Sequence, residues 1–350
     1  MSEFSQDNPC GLDGVDFVEY AGPQSKFFEV LFKKWGFVKV GYQNNKNISL
    51  FRQNDINFII SSEAGSFADK FARKHGNSIC ATGFRVRDAK QAYETAVARG
   101  ARPFTGSLEE RGFKMFPAIF GIGDSLIYFI DKKNSEILYS EIFQVKPENK
   151  SPRGVGFEIV DHFTNNVPAG EMQKWCDFYS KIFNFRETRY FDIRGKQTGL
   201  ISKVMRSPCG KFAIPINEPT GEKSQIQEYL DEYKGSGIQH LALTTPNIVQ
   251  TLTALKDSQL EFLTPPPSTY YAALKDRVPG VTEEINTLQK NAVLVDGDHE
   301  GYLLQIFSKN IIGPIFFEVI QRKGHSGFGE GNFQALFDAI ERDQKERGYL

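Results

Sequence analysis

Two histidines and one glutamate sit where charge is costly to bury. His162 closes the apolar run Gly156–His162. His240 lies inside Gly237–Leu243, and Glu318 lies inside Gly313–Gln321. All three runs read as strands, where a carboxylate or imidazole is expensive unless it is paired or bound to a metal. Taken singly, a strand histidine is usually a hydrogen-bonded core side chain, and a strand glutamate is usually solvated or salt-bridged. Taken together, two neutral imidazoles and one carboxylate make the facial triad that holds Fe(II) and leaves coordination positions open for O2 and a substrate. The chain's other three histidines, His75, His299 and His325, lie outside such runs.

The elements that must position this triad repeat. Four segments share a plan of strand then amphipathic helix, the helices showing i, i+3, i+4, i+7 apolar spacing. Val15–Tyr20 precedes Phe28, Leu31, Phe32 and Trp35. Ile79–Val86 precedes Ala89, Ala92, Tyr93 and Ala96. Phe157–His162 precedes Met172, Trp175, Cys176 and Tyr179, and Ile238–Thr244 precedes Ile248, Leu252 and Leu255. The two histidines therefore open equivalent units. Lys146–Gly154, polar with two prolines, has the composition of a linker and divides the chain into residues 1–150 and 151–350. Ser125–Asn134 resembles Gly301–Asn310, and Glu141 echoes Glu318, so the halves read as a duplication. On this alignment Tyr20 stands where His162 does and Ala81 where His240 does, and the N-terminal half is expected to hold no metal.

Period-two alternation puts Gln305 and Phe307 on one face of a strand and turns Gln239 away from His240. The glycine-rich stretch Gly327–Phe333 leads into a helix with Phe333, Leu336, Phe337 and Ile340 on one stripe. Such a hinge suits a lid that keeps water from a metal site.

Composition excludes several classes. With 42 basic and 43 acidic residues, nothing steers the chain toward nucleic acid or an anionic membrane. No apolar run is long enough to span a bilayer. Met1–Asn8 is polar with no signal-peptide pattern, so a cytoplasmic protein is expected. Cys10, Cys80, Cys176 and Cys209 form no CxxC pair, so free thiols are expected rather than disulfides or a zinc site. The 31 phenylalanines can wall a core, a ligand cavity or both.

Gly237–Ala242, Gln305–Phe307, Phe316–Gly324, Gly327–Phe333, Pro215–Pro219 and Lys223–Gln227 together resemble the signature blocks of the 4-hydroxyphenylpyruvate dioxygenase family. The resemblance covers nearly the whole C-terminal half in order, and the N-terminal half in general plan. It implies an α+β vicinal-oxygen-chelate fold: two tandem barrel-like halves, each of paired βαβββ modules, with a C-terminal lid helix. It implies one Fe(II) in the C-terminal half, held by His162, His240 and Glu318. The implied reaction turns 4-hydroxyphenylpyruvate and O2 into homogentisate and CO2, in tyrosine and phenylalanine breakdown, without 2-oxoglutarate. Phe307 and Phe333 would hold the ring. Ser202, Asn217, Gln225, Gln239 and Gln305 would form the polar network around the ring hydroxyl and the keto acid, and Phe328 and Asn332 would belong to the lid. Family members form homodimers or homotetramers. Hydroxymandelate synthase shares this fold, iron and substrate, but it resembles a chain with a smaller aliphatic residue at position 333. A metal-free binding protein of the same superfamily, and a pigment- or haemolysis-associated factor acting through its oxidisable product, are the other readings.

Overall fold

The computed structural model describes residues 7–43, 47–106, 116–194, 199–221 and 223–349. Residues 1–6, most of the stretch read as lacking a signal peptide, lie outside them. The first sheet contains β1 (Leu12–Ala21), β2 (Val38–Gln43), β3 (Ile48–Gln53), β4 (Ile56–Ser61), β5 (Ser78–Val86), β6 (Ala118–Phe120) and β7 (Leu126–Ile130), in the order β2-β3-β4-β1-β5-β7-β6. The second contains β8 (Val160–Asn166), β9 (Arg186–Arg194), β10 (Gly199–Arg206), β11 (Ala213–Pro219), β12 (Gly237–Thr244), β13 (Leu294–Gly297), β14 (Tyr302–Phe307) and β15 (Phe316–Lys323), in the order β13-β14-β15-β12-β8-β11-β10-β9.

The two sheets share one central scheme. β1 runs parallel to β4 and antiparallel to β5, and β5 runs parallel to β7. β8, β11, β12 and β15 repeat those relations. The chain is thus an α+β protein of two like halves. Three modules read strand, helix, three strands; among the described residues the second module shows two strands after its helix. The expected helices form, with Phe28, Leu31 and Phe32 buried in the first (Ser25–Lys34) and Met172, Cys176 and Tyr179 buried in the third module's helix (Met172–Phe183).

The topology corrects the repeat alignment. β7 occupies the place of β15, not of β14, and Glu141 is exposed in the helical segment Ile137–Ile142 rather than standing in a strand. Register fixes the true equivalents. Ala242 lies opposite both His162 and Glu318, whereas Gly83 lies opposite both Phe17 and Tyr128. Phe17, Ala81 and Tyr128 therefore stand where His162, His240 and Glu318 stand. Phe17 replaces Tyr20 as the counterpart of His162, and Ala81 keeps its assignment. The Phe17 and Tyr128 rings meet at 5.8 Å, and a Cβ on Gly83 would come within 2.6 Å of Phe17. Aromatic packing fills the first half where the second carries ligands.

The third expected strand is shifted. β8 starts at Val160 and runs to Asn166, so His162 lies near its start. The residues before it are tied to the other half: Gln53 Oε1 accepts from the Gly156 and Phe157 amides, and Asn54 Nδ2 donates to Phe157 O.

The halves share one core. Trp35 is fully buried and meets Phe157, Phe262 and Phe317 at 5.1–6.2 Å. Phe84 meets Phe163 and Phe212. Phe163 and Phe317 adjoin His162 and Glu318 in sequence, so alternation turns the apolar neighbour onto the first half and the ligand inward. No described helix is long and apolar enough to cross a membrane. All four cysteines are free.

Candidate metal centre and cavity

β8, β12 and β15 are neighbours, and they bring His162, His240 and Glu318 together. One ligand atom from each lies within 4.8 Å of the others. Glu318 Oε2 is 3.2 Å from His162 Nε2 and 3.5 Å from His240 Nε2. All three side chains are buried.

Each histidine is oriented by the residue before it, through a β-bulge. Pairing of β8 with β12 skips Asp161, between His162 and Val160, and skips Gln239, between Ile238 and His240. An extra residue of this kind turns its side chain out of strict alternation. Asp161 Oδ2 accepts from His162 Nδ1 at 2.7 Å, and Gln239 Oε1 lies 3.1 Å from His240 Nδ1. Gln239 is therefore beside His240, not turned away from it as strict alternation requires. Partners on Nδ1 of both rings turn the Nε2 atoms toward Glu318, as ligating imidazoles require, with Thr164 also beside His240 Nε2.

The electrostatics agree. Burial opposes ionisation of Asp161, but bonds from Arg322 and His162 outweigh it and hold the carboxyl well below the usual range. Burial likewise opposes protonation of His162, but the Glu318 and Asp161 carboxylates outweigh it and raise the imidazole to about 9. Burial and the neighbouring His162 charge push His240 well below its ordinary value. A divalent cation between these side chains would take the place of a proton there. Two nitrogens and one carboxylate oxygen on one cavity wall, each histidine fixed by an outer partner, fit a first-row divalent metal.

The second sheet curves around a cavity that opens beside the triad. Ser202, Asn217, Gln225, Gln239, Gln305, Phe307, Phe328 and Phe333 all line it with the triad. The C-terminal helix (Phe333–Glu346) closes it with Phe333, Leu336, Phe337 and Ile340. Asn332 does not line it. That side chain is buried behind Gln305, donating to Gln305 Oε1 at 3.0 Å and accepting from the Tyr270 hydroxyl at 2.6 Å. Gln305 is engaged at both ends, since its Nε2 donates to Glu318 Oε1 at 2.9 Å and to Phe328 O at 3.0 Å. Gly329, at φ +81°, passes so close that a Cβ would lie 2.0 Å from Gln305 Oε1.

By contrast, Gln225 Oε1 is buried without a hydrogen-bond partner. An orphaned acceptor on a cavity wall is a place for a ligand's donor. Sequence reasoning missed Asp161, Thr164, Phe316 and Arg322. Thr164 Oγ1 lies 2.9 Å from His240 Nε2, and Phe316 stacks on the His240 ring at 4.8 Å. An acid directly before a strand histidine, and an arginine four residues after a strand glutamate, were the available signals.

Fold and site together define a two-half vicinal-oxygen-chelate protein whose second half carries a triad able to hold a metal. The family model described as the N-terminal part of hydroxyphenylpyruvate dioxygenase matches residues 6–145, and the glyoxalase, bleomycin resistance protein and dioxygenase superfamily model matches residues 159–306. The 4-hydroxyphenylpyruvate dioxygenase of Legionella pneumophila (strain Corby) is 46% identical over 346 residues, covering 98% of each chain. Protein MelA of Shewanella colwelliana is 48% identical over 99% of each. A solved fusion of a xylose isomerase-like barrel with 4-hydroxyphenylpyruvate dioxygenase superposes with a TM-score of 0.81 at 29% identity, over 96% of this chain and 54% of that one. The chain belongs to the 4-hydroxyphenylpyruvate dioxygenase family.

Proposed function

We propose that the chain converts 4-hydroxyphenylpyruvate and O2 into homogentisate and CO2 at an Fe(II) held by His162, His240 and Glu318. The observation that carries this reading is the triad itself: two imidazoles and a carboxylate converging on one wall of a cavity that also presents aromatic, aliphatic, hydroxyl and amide side chains. Bound iron supplies the Lewis acid that polarises the keto acid and the electrons that activate O2. The chain's own residues do the rest. Asp161 and Gln239 keep the Nε2 lone pairs on the metal side. Phe307 and Phe333 present aromatic faces and edges to the substrate ring. Ser202, Asn217 and Gln239 supply polar contacts, and Gln225 Oε1 accepts from the ring hydroxyl. Phe328 and the C-terminal helix exclude water. Residues 1–150 form the metal-free half and 151–350 the iron-bearing half of a cytoplasmic homo-oligomer, a dimer or tetramer to be distinguished by light scattering.

Anaerobic reconstitution with ferrous ion, followed by substrate, O2 and mass spectrometry of the product, tests the reaction. Homogentisate is expected. A hydroxymandelate product would reassign the chemistry to the benzylic carbon, and failure to take up iron would leave a binding protein.

Substrate selectivity supplies a sharper check on Gln225. Phenylpyruvate lacks the hydroxyl and leaves this buried acceptor unpaired, which costs about 1–3 kcal/mol, or about 5- to 150-fold in kcat/KM. Gln225→Leu should shrink that preference toward unity. A variant that still discriminates as well as the wild type would place the hydroxyl elsewhere.

A further inference from the structure

We infer that Arg322 is a positioning residue that ties the aim of the His162 ring to the closed form of the 324–332 turn, so that metal binding and ordering of the turn reinforce each other. This rests on the metal-centre reading. Arg322 is the last residue but one of β15, four residues after Glu318, and its side chain is only 19% exposed. One edge of its guanidinium grips Asp161 in a fork: Nε to Oδ1 and NH2 to Oδ2, both at 2.8 Å. The remaining nitrogen donates to two carbonyls of the turn, His325 O at 3.1 Å and Gly327 O at 2.6 Å. Asp161 in turn holds His162 Nδ1. One side chain thus spans the distance from the hinge to the support of a metal ligand.

A second link runs in parallel. Gln305 joins Glu318 Oε1 to Phe328 O and is itself held by Asn332. The Phe328 ring lies against His162, with centroids 5.3 Å apart. Two of the three ligands are therefore connected to the same short turn, Glu318 through Gln305 and His162 through Asp161 and Arg322. Opening the turn takes two acceptors from Arg322 and one from Gln305, freeing both supports to move. Closing it restores them. A coupling of this kind acts equally in both directions: metal favours the closed turn to the degree that the closed turn favours metal. Lysine keeps the charge but cannot reproduce the fork.

The test uses the full chain, with Co(II) as an optical probe of the centre and chelator competition for its affinity. Hydrogen exchange is followed at the Gly327, Phe328 and Asn332 amides. In the wild type, Co(II) should slow exchange at these amides. In Arg322→Met, Co(II) affinity should fall about 10- to 100-fold, its absorption bands should shift, and the amides should no longer respond to metal. Arg322→Lys should recover neither property fully, and it carries the test if the methionine variant fails to fold. Unchanged affinity with a retained amide response in these variants overturns the linkage while leaving the metal centre intact. Absence of Co(II) and Fe(II) binding by the wild type overturns the metal reading, and the linkage with it.

Discussion

Replacing Glu318 with alanine is expected to leave a folded protein that holds no iron and turns over at least about a thousandfold more slowly. The carboxylate is the only anionic member of the triad, and its Oε2 atom is the one that both imidazole nitrogens face. Without it, two neutral donors remain, too few to hold a labile divalent ion against water. The several kcal/mol of charge stabilisation that the metal supplies then disappear, which converts to the stated loss of rate. The fold should survive because Gln305 keeps its bonds to Phe328 O and Asn332, and His162 keeps Asp161. Iron stoichiometry and O2 uptake with substrate measure both effects. Full iron content, or turnover within tenfold of wild type, would show that another group completes the centre. Glu318→Gln makes the complementary case. It preserves shape and a carbonyl oxygen but not charge, so it should also lose iron while matching the wild type in thermal unfolding more closely than alanine does.

The triad could be read before any coordinates because its chemistry is out of place: imidazoles and a carboxylate inside apolar strand runs need a reason. The residues that aim it could not be read in the same way. Alternation puts Asp161 and Gln239 on the wrong face, and only the two bulges, which depend on how β8 and β12 pair, return them to the site. The duplication was legible in the four strand-then-helix units but misaligned in detail. Ser125–Asn134 and Gly301–Asn310 share an apolar pattern, yet sheet order pairs β7 with β15. Local similarity between apolar strands carries little information about which neighbour each will find, since any buried strand wants the same residue types. The place of Asn332 in a lid-like turn was visible, but not its buried amide pairing with Gln305.

Trp35→Ala tests why the first half is retained beside the site. Trp35 follows the first helix, in the half whose equivalent positions carry Phe17, Ala81 and Tyr128, yet its ring packs on Phe157, Phe262 and Phe317 of the other half. Phe317 lies between Phe316 and Glu318, so its back-side packing sets the strand that delivers the carboxylate. Truncating a fully buried Trp is expected to cost about 3–5 kcal/mol, read as a fall in the denaturant midpoint with an unchanged slope. More than instability is expected. Because the cavity falls behind β15 rather than inside the first half, metal affinity should drop as well, although no atom of Trp35 approaches the centre. Trp35→Phe refines this, since the indole Nε1 has no hydrogen-bond partner in its buried site. Replacing it with phenylalanine removes an unsatisfied donor along with some volume, and it should cost much less than alanine. If alanine destabilised by no more than about 0.5 kcal/mol, at the level of a surface change, or left metal affinity untouched, the two halves would be energetically independent. The first would then be a passenger rather than the wall against which the ligand strands are held.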